Sequence, residues 1–275
     1  MTLCRSFGYS KQAYYRSQRF GSRQERECYL VGLVEELRHD LPRLGGVKLW
    51  RLLNENGVRV GRDELFRLLG RHGLLVKRRK RRAVTTDSKG WRRQYPNLVK
   101  GLEVSRPNQV WVSDITYVAT RSGFVYLSLV TDVYSRRIMG WHVHPTLDSG
   151  GPLRALYRAV CQVEDAALAG LVHHSDRGCQ YCSEQYVSTL SHRGIKISMT
   201  QDGSPYDNAI AERVNGILKQ EWLDGEHFAN VQEVRDKVEE VVGLYNTKRP
   251  HMAIGFNTPE TVYAKKIKGY EWRIY

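Results

Sequence analysis

The sequence is poor in the features that mark secreted or membrane-bound chains. Cysteine occurs five times in 275 residues, too sparsely for a disulfide scaffold. The longest apolar stretches, such as Ala166–Val172, fall far short of the roughly 20 residues that span a bilayer. The opening MTLCRSFGYSKQAYY carries cations but no continuous apolar core, so it does not read as a secretory leader. These absences point to a cytoplasmic protein. Wholesale disorder is also excluded, because 41% of the residues are hydrophobic and 10% aromatic, enough for a real core.

Acidic residues are scarce in one region only. Residues 1–100 hold 24 Lys/Arg against 9 Asp/Glu, whereas residues 101–275 hold 19 against 20. The whole net charge of +14 therefore sits in the first third of the chain. A polyanion such as nucleic acid is drawn to such a segment, with strongly salt-dependent affinity.

Within that basic third, Leu30, Val34 and Leu37 share one face of a helix over 25–40. In GGVKLWRLLNENG, Val47, Leu49, Trp50 and Leu53 keep helical register up to Gly57, and Leu65, Phe66 and Leu69 mark a third helix from Arg62 to Gly70. Two short helices with a Gly-containing link read as a helix-turn-helix, although a plain three-helix packing module has the same pattern. The run Lys77, Arg78, Arg79, Lys80, Arg81 and Arg82 follows, its cations repelling one another unless phosphates neutralise them. With Arg92 and Arg93 it is expected to lie along a DNA backbone; a loose surface tether is the alternative. The expected organisation is a basic helical module over 1–82, a basic linker over 83–105, a catalytic core with its C-terminal helix over 106–265, and a tail over 266–275.

Past Asn108 the pattern turns to strands. QVWVSDITYV, FVYLSLVTD and IMGWHVH, joined by short links, predict an antiparallel meander. A helix (GPLRALYRAVCQV), a strand ending at Asp176, a second helix and a fifth strand (IKISMT) follow. Asp114 sits mid-strand, where a lone carboxylate is costly without a compensating cation or hydrogen bonds. Glu212 lies on a helix with an Ile210, Val214 and Ile217 stripe; it points away from that stripe, with Asn208 and Asn215 flanking its polar face and Lys219 two turns on. Two aspartates and a glutamate are the hard oxygen ligands that Mg²⁺ takes, and a pair of such ions serves phosphoryl transfer. A general acid/base pair would also use two carboxylates, but accounts for neither the third acid nor the basic module.

The blocks WVSDITYVAT (111–120), VTDVYSRRIMGW (130–141), HHSDRGCQY (173–181), SPYDNAIAERVNGILKQE (204–221) and YNTKRPHMAIGFNTPE (245–260) resemble the OrfB-type catalytic subunit of bacterial insertion-sequence transposases. That family shares its core with retroviral integrases, and its acids show the same interval, 35 residues separating Asp176 from Glu212. The resemblance implies an α/β fold, a ribonuclease-H-like five-stranded mixed sheet flanked by helices and preceded by the helix-turn-helix module. It implies that Asp114, Asp176 and Glu212 are at once the catalytic and the metal-binding residues, holding Mg²⁺ (Mn²⁺ substituting) as two ions. The implied reaction is cleavage at element ends followed by 3′-OH strand transfer; a nuclease of the same fold, or an inactive DNA-binding relative, is the alternative. Lys219 falls where the family keeps a DNA-contacting cation, and His174, Gln180, Tyr181 and Asn208 are candidates for the active-site groove. Implied partners are double-stranded DNA (element ends and target), further copies of the chain on paired ends, and an upstream-frame product supplying end recognition. The Cys179/Cys182 pair reads as packing, not zinc, and Asp132 as a turn residue. Tyr245, Asn246, Arg249 and His251 either pack a C-terminal helix or touch DNA.

Overall fold

A computed structural model describes residues 11–77, 95–201 and 208–265, with side chains from Arg23 onward. Two compact units emerge, Met1–Arg79 and Lys80–Tyr275. Arg78–Arg82, Arg92 and Arg93 lie outside the described residues, as does the segment 202–207 that leads into the helix of Glu212.

The first unit contains α1 (Lys11–Asp40), α2 (Gly46–Glu55) and α3 (Arg62–Arg71). Helix α1 starts well before the expected residue 25, because no apolar stripe announces its first turns. Leu30, Val34, Leu49, Leu53, Leu65, Leu68 and Leu69 form the buried interior. Val47 and Phe66, which the helical period assigns to buried faces, are instead exposed. Phe66 lies across Gly46, where an added Cβ would stand 2.7 Å from the ring. Half-buried polar groups tie the helices together: Trp50 Nε1 donates to Val60 O at 3.0 Å and the Arg38 guanidinium to Leu44 O and Leu74 O. At the start of α3, Glu64 accepts from the Gly61 amide at 3.3 Å, satisfying a helix-end donor.

In the second unit, β1 (Val110–Thr120), β2 (Gly123–Asp132) and β3 (Ile138–His144) form the antiparallel meander. Next come α4 (Gly150–Val160), the short α5 (Asp165–Leu168), β4 (Val172–Ser175), α6 (Glu184–His192) and β5 (Lys196–Met199). Helix α7 (Ala209–Leu218) runs into a π-helical turn, Lys219–Leu223; α8 (Val231–Thr247), a 3₁₀ turn (Met252–Ile254) and α9 (Pro259–Ala264) complete the unit. The sheet order is β3-β2-β1-β4-β5, with β4 and β5 parallel to β1. This is the ribonuclease-H-like arrangement, a mixed sheet with helices on both faces. Because side chains alternate along a strand, β1 feeds two cores. Trp111 and Ile115 pack with Leu156, Ala159 and Leu190 of α4 and α6, whereas Val110 and Val112 pack with Ala211 of α7.

Tyr95, Val99 and Val104, inside the expected linker, pack against these cores, and Leu98 N donates to Ser198 Oγ at 2.8 Å beside β5. Among the described residues no helix is long and apolar enough to cross a membrane. A helix approaches the sheet closely at Gly140 of β3. A Cβ there would collide with the Ala155 carbonyl and stand 2.7 Å from Ala159 N, backbone atoms of α4 that cannot swing aside. Gly140→Ala must lift α4 off the sheet; we expect a stability loss of at least about 1–3 kcal/mol, read as a lower denaturant midpoint.

Candidate active site

The parallel register pairs Ser113 with Ser175, so the next residue on each chain is an aspartate. Asp114 continues along β1, and Asp176 is the first residue beyond β4. The turn that receives Asp176 is shaped around its carboxylate: the Gly178 amide donates to Oδ1 at 3.0 Å, and a Cβ at Gly178 would come within 2.9 Å of that oxygen. Arg177 fastens the same turn to β5's exit through Thr200 O at 2.6 Å and Gln201 O.

Glu212 projects from α7 and is exposed, while Ala211, Val214, Asn215, Ile217 and Leu218 form the helix's buried face. That face differs from the expected one, because Asn208 and Asn215 are buried and do not flank Glu212 in solvent. Asn208 Nδ2 donates to the Ser113 carbonyl at 3.0 Å, and Asn215 Nδ2 donates to Asp114 Oδ2 at 2.8 Å. The two amides pin the helix of the third acid to the strand of the first. A polarity pattern assigns asparagine to water; here a backbone carbonyl and a carboxylate satisfy it instead.

Burial pushes the Asp114 carboxyl up from 3.8 to about 7; the Asn215 hydrogen bond opposes this, and the charges of Asp176 and Glu212 add to it. Asp176 and Glu212 are thus near enough for their charges to act on Asp114. Among the described residues, however, no three His, Cys, Asp or Glu side chains stand in metal-holding geometry. The arrangement is an acidic cluster around one half-buried carboxylate, and its donor set is entirely hard oxygen, the kind a divalent cation such as Mg²⁺ takes.

The remaining candidates divide between structure and surface. Tyr181, expected in the groove, is buried in the core, its ring against His173 and Tyr186, because the chain folds back after Gly178. Gln180 is also buried and donates to Leu147 O at 3.2 Å. His174 is buried with Nδ1 2.8 Å from Ser198 Oγ, and His173 contacts Ser113 Oγ at 2.8 Å and Tyr186 Oη at 2.9 Å. Burial lowers His173 to about 3, so that imidazole is neutral. Lys219 lies over the Tyr117 ring, Nζ 4.3 Å from its centroid. Lys77 is exposed at the end of the first unit, its carbonyl accepting from Arg43 at 2.6 Å.

Asp132 closes a turn, accepting from Asn108 N at 2.8 Å, Ser135 N at 2.7 Å and Ser135 Oγ at 2.6 Å. Cys182 packs near Met199. The C-terminal cluster packs: Tyr245 Oη donates to Arg136 O, the Asn246 side chain bonds both backbone groups of Ile138, and buried Arg249 grips Glu221 through two 2.7 Å bonds. The acids, the asparagines and Gly178 all have sequence signals in hindsight. Asn215 stands out as a polar residue within the otherwise apolar run VNGIL, one helical turn after Glu212.

Two family models described as integrase core domain match residues 104–205 and 193–259. The fold and these matches define the class: a polynucleotidyl transferase of the integrase type. The chain is 35% identical over 262 residues to an insertion element IS600 31 kDa protein of Shigella sonnei, covering 94% of this chain and 96% of that one. It is 32% identical to the transposase for insertion sequence element IS904 of Lactococcus lactis (86% and 93% covered) and 31% identical to the transposase InsF for insertion sequence IS3A of Escherichia coli (96% and 94%). The chain belongs to the insertion-sequence transposases. Among solved structures, the HTLV-2 integrase catalytic core domain in complex with magnesium aligns with a TM-score of 0.44 at 18% identity, over 57% of this chain and 97% of that one. The simian T-cell lymphotropic virus intasome aligns at 0.49 and 16%, over 84% and 75%.

Proposed function

We propose that this transposase cleaves the ends of its own insertion element and joins the freed 3′-OH to DNA, with Asp114, Asp176 and Glu212 holding the divalent cations the reaction needs. One observation carries the assignment: the parallel β1–β4 register sets Asp114 beside Asp176, and the helix of Glu212 is tied to the same strand by Asn215 on Asp114 Oδ2 at 2.8 Å. Such a cluster is unfavourable alone and is relieved by a cation, which lets the fold carry three acids at one point. Bound as a pair, Mg²⁺ or Mn²⁺ ions stabilise charge on the attacking and leaving oxygens and favour ionisation of the nucleophile. The protein's part is positioning. The β1–β4 register fixes Asp114 and Asp176 side by side, Gly178 orients the Asp176 carboxylate, and Asn208 and Asn215 set the reach of Glu212. Water serves as the nucleophile for cleavage and a DNA 3′-OH for strand transfer.

The basic first hundred residues supply affinity for the backbone. Helices α2 and α3 act as the helix-turn-helix, with Lys77–Arg82, Arg92 and Arg93 following along phosphates and Lys219 contacting the end DNA. Further copies of the chain on paired ends, and an upstream-frame product contributing end recognition, complete the working assembly. The domain scheme is a helical DNA-binding module to residue 82, a linker to 105 and the catalytic core to 265.

Incubation with Mn²⁺ or Mg²⁺, a pre-cleaved end from the DNA flanking the gene, and a plasmid tests the reading. Joined products are expected from wild type and none from Glu212→Gln; nicks without joined products would sink strand transfer as the activity. Cation binding has its own signature. Mg²⁺ at about 100 times its Kd should stabilise the wild type by about 2.7 kcal/mol, seen as a rise in thermal midpoint that Asp114→Asn lacks. An equal rise in both proteins would remove Asp114 from the ligand set.

A further inference from the structure

The geometry points to a base-stacking platform beside the acidic cluster, built by Phe124 and Tyr117 and flanked by Lys219, that takes an unpaired base at the DNA end. The inference rests on the transposase reading above and adds a binding site to it. Tyr117 pairs with Tyr126 across the β1–β2 hairpin, and Phe124, two residues before Tyr126, is the diagonal neighbour of Tyr117. Their rings meet edge to face, centroids 5.2 Å apart at 75°. Lys219 Nζ sits 4.3 Å from the Tyr117 centroid. Tyr117 and Phe124 thus form one unit whose outer member, Phe124, is 58% exposed, more than any other phenylalanine or tryptophan among the described side chains.

An exposed aromatic on a strand can be a mere hairpin staple. Three observations favour a ligand. First, cations border the aromatic pair, Lys219 on one ring and exposed Arg121 in the turn just before Phe124, although residues 101–275 as a whole carry no positive excess. Aromatic faces bordered by cations are how proteins hold single-stranded nucleic acid without reading its sequence. Second, the hairpin tip is anchored, with Arg121 N donating to Phe228 O at 2.9 Å and Thr120 bridging Phe228, so the rings are held in place before any ligand arrives. Third, the platform is tied to the helix of the third acid. Lys219 lies seven residues past Glu212, about 10 Å along a helix, and its ammonium covers Tyr117, whose side chain leaves β1 on the face opposite Asp114. At about 3.4 Å per stacked base, the platform is within about three nucleotides of the reacting phosphate. A base there is available for stacking only if unpaired, so the ligand is the frayed or single-stranded terminus of the cleaved end.

The test uses the full chain and a duplex with a three-nucleotide single-stranded extension carrying 2-aminopurine, beside a blunt duplex of the same length. Wild type should change the 2-aminopurine fluorescence and prefer the extended duplex. Phe124→Ala should lose the fluorescence change and weaken binding of the extended duplex by about 5–150-fold, with blunt-duplex affinity unchanged. Phe124→Tyr should keep both signals. Phe124→Leu retains bulk and packing without a π-face, and should behave as Phe124→Ala while melting like wild type. Equal fluorescence in wild type and Phe124→Leu, or equal losses on blunt and extended duplexes, overturns the platform. A wild type that joins DNA ends without any fluorescence change also overturns it and leaves the transposase reading intact. A fluorescence change that persists in a chain unable to cut or join DNA supports the platform and overturns that reading instead.

Discussion

Replacing Asp114 by Asn is expected to abolish strand cleavage and, in the same protein, to raise the thermal midpoint of the cation-free form above pH 7. The first effect follows from losing a ligand at the reacting centre. Metal-borne charge stabilisation is worth several kcal/mol, so the rate should fall by about 10³-fold or more. The second follows from the titration. The folded carboxyl sits at about 7 against 3.8 for its ordinary value. Between about pH 4 and pH 7 the unfolded chain has released a proton that the fold still holds, so stability falls as pH rises through that window. Above pH 7 the fold bears the full cost of the ionised group, which is of order a few kcal/mol. Asn removes that cost and can still accept the Asn215 hydrogen bond. Melting in EDTA at pH 5 and pH 8 measures it: the mutant's advantage should be small at pH 5 and largest at pH 8. A mutant that melts lower than wild type at pH 8 would show that the carboxylate is already compensated within the protein. DNA affinity, carried by the first hundred residues, should change little in either case.

Arg249→Leu should cost about 3–5 kcal/mol, because it strands the Glu221 carboxylate. Only 4% of the Arg249 side chain and 16% of Glu221 are accessible, and both bonds of the pair are 2.7 Å. For a unit of this size the loss is a drop of about 6–20 °C in its thermal transition. The double variant Arg249→Leu/Glu221→Leu should recover most of that drop, since a buried pair exchanged for apolar groups of similar volume is often neutral. If the double variant is as unstable as the single one, the destabilisation comes from lost packing around Tyr245 and not from an orphaned charge. The same pair joins the π-helical turn to the end of α8, so the single variant should also loosen Lys219 from Tyr117. Such widened turns occur often at functional positions.

Much of the catalytic unit was legible in the sequence, for identifiable reasons. The β1–β3 runs alternate or cluster β-branched and aromatic residues between short polar links, and the meander forms as read. The strand that ends at Asp176 also forms as read, while its parallel place beside β1 is something the residues' pattern does not carry and only the family resemblance implies. Local pattern failed wherever a side chain's fate is decided by a distant partner. Asn208 and Asn215 read as a polar helix face, yet each is buried by a group on β1 about a hundred residues away. Tyr181 read as a groove residue, but the turn at Gly178 sends it into the core. Phe66 marks its helix as read, but its ring is exposed and lies over Gly46, where an added Cβ would stand 2.7 Å from it. The first turns of α1 carry no apolar period, which is why the pattern places its start at residue 25 and not at Lys11.

The tie between Asn215 and Asp114 also bears on the order in which the molecule comes together. It spans 101 residues of chain, and its companion from Asn208 to Ser113 spans 95. Contacts that distant are closed late, because the entropy of drawing the ends together is paid before they return anything. The hairpin of β1 and β2 and the turn that holds Asp176 can form from near neighbours, while Glu212 arrives only with α7. A partly folded chain therefore holds two of the proposed catalytic acids and lacks the third; on that reading it can bind DNA through its first hundred residues but cannot cut it until nearly all of the catalytic unit is made. In an enzyme that cuts chromosomes, incompetence before completion is a safeguard supplied by topology alone.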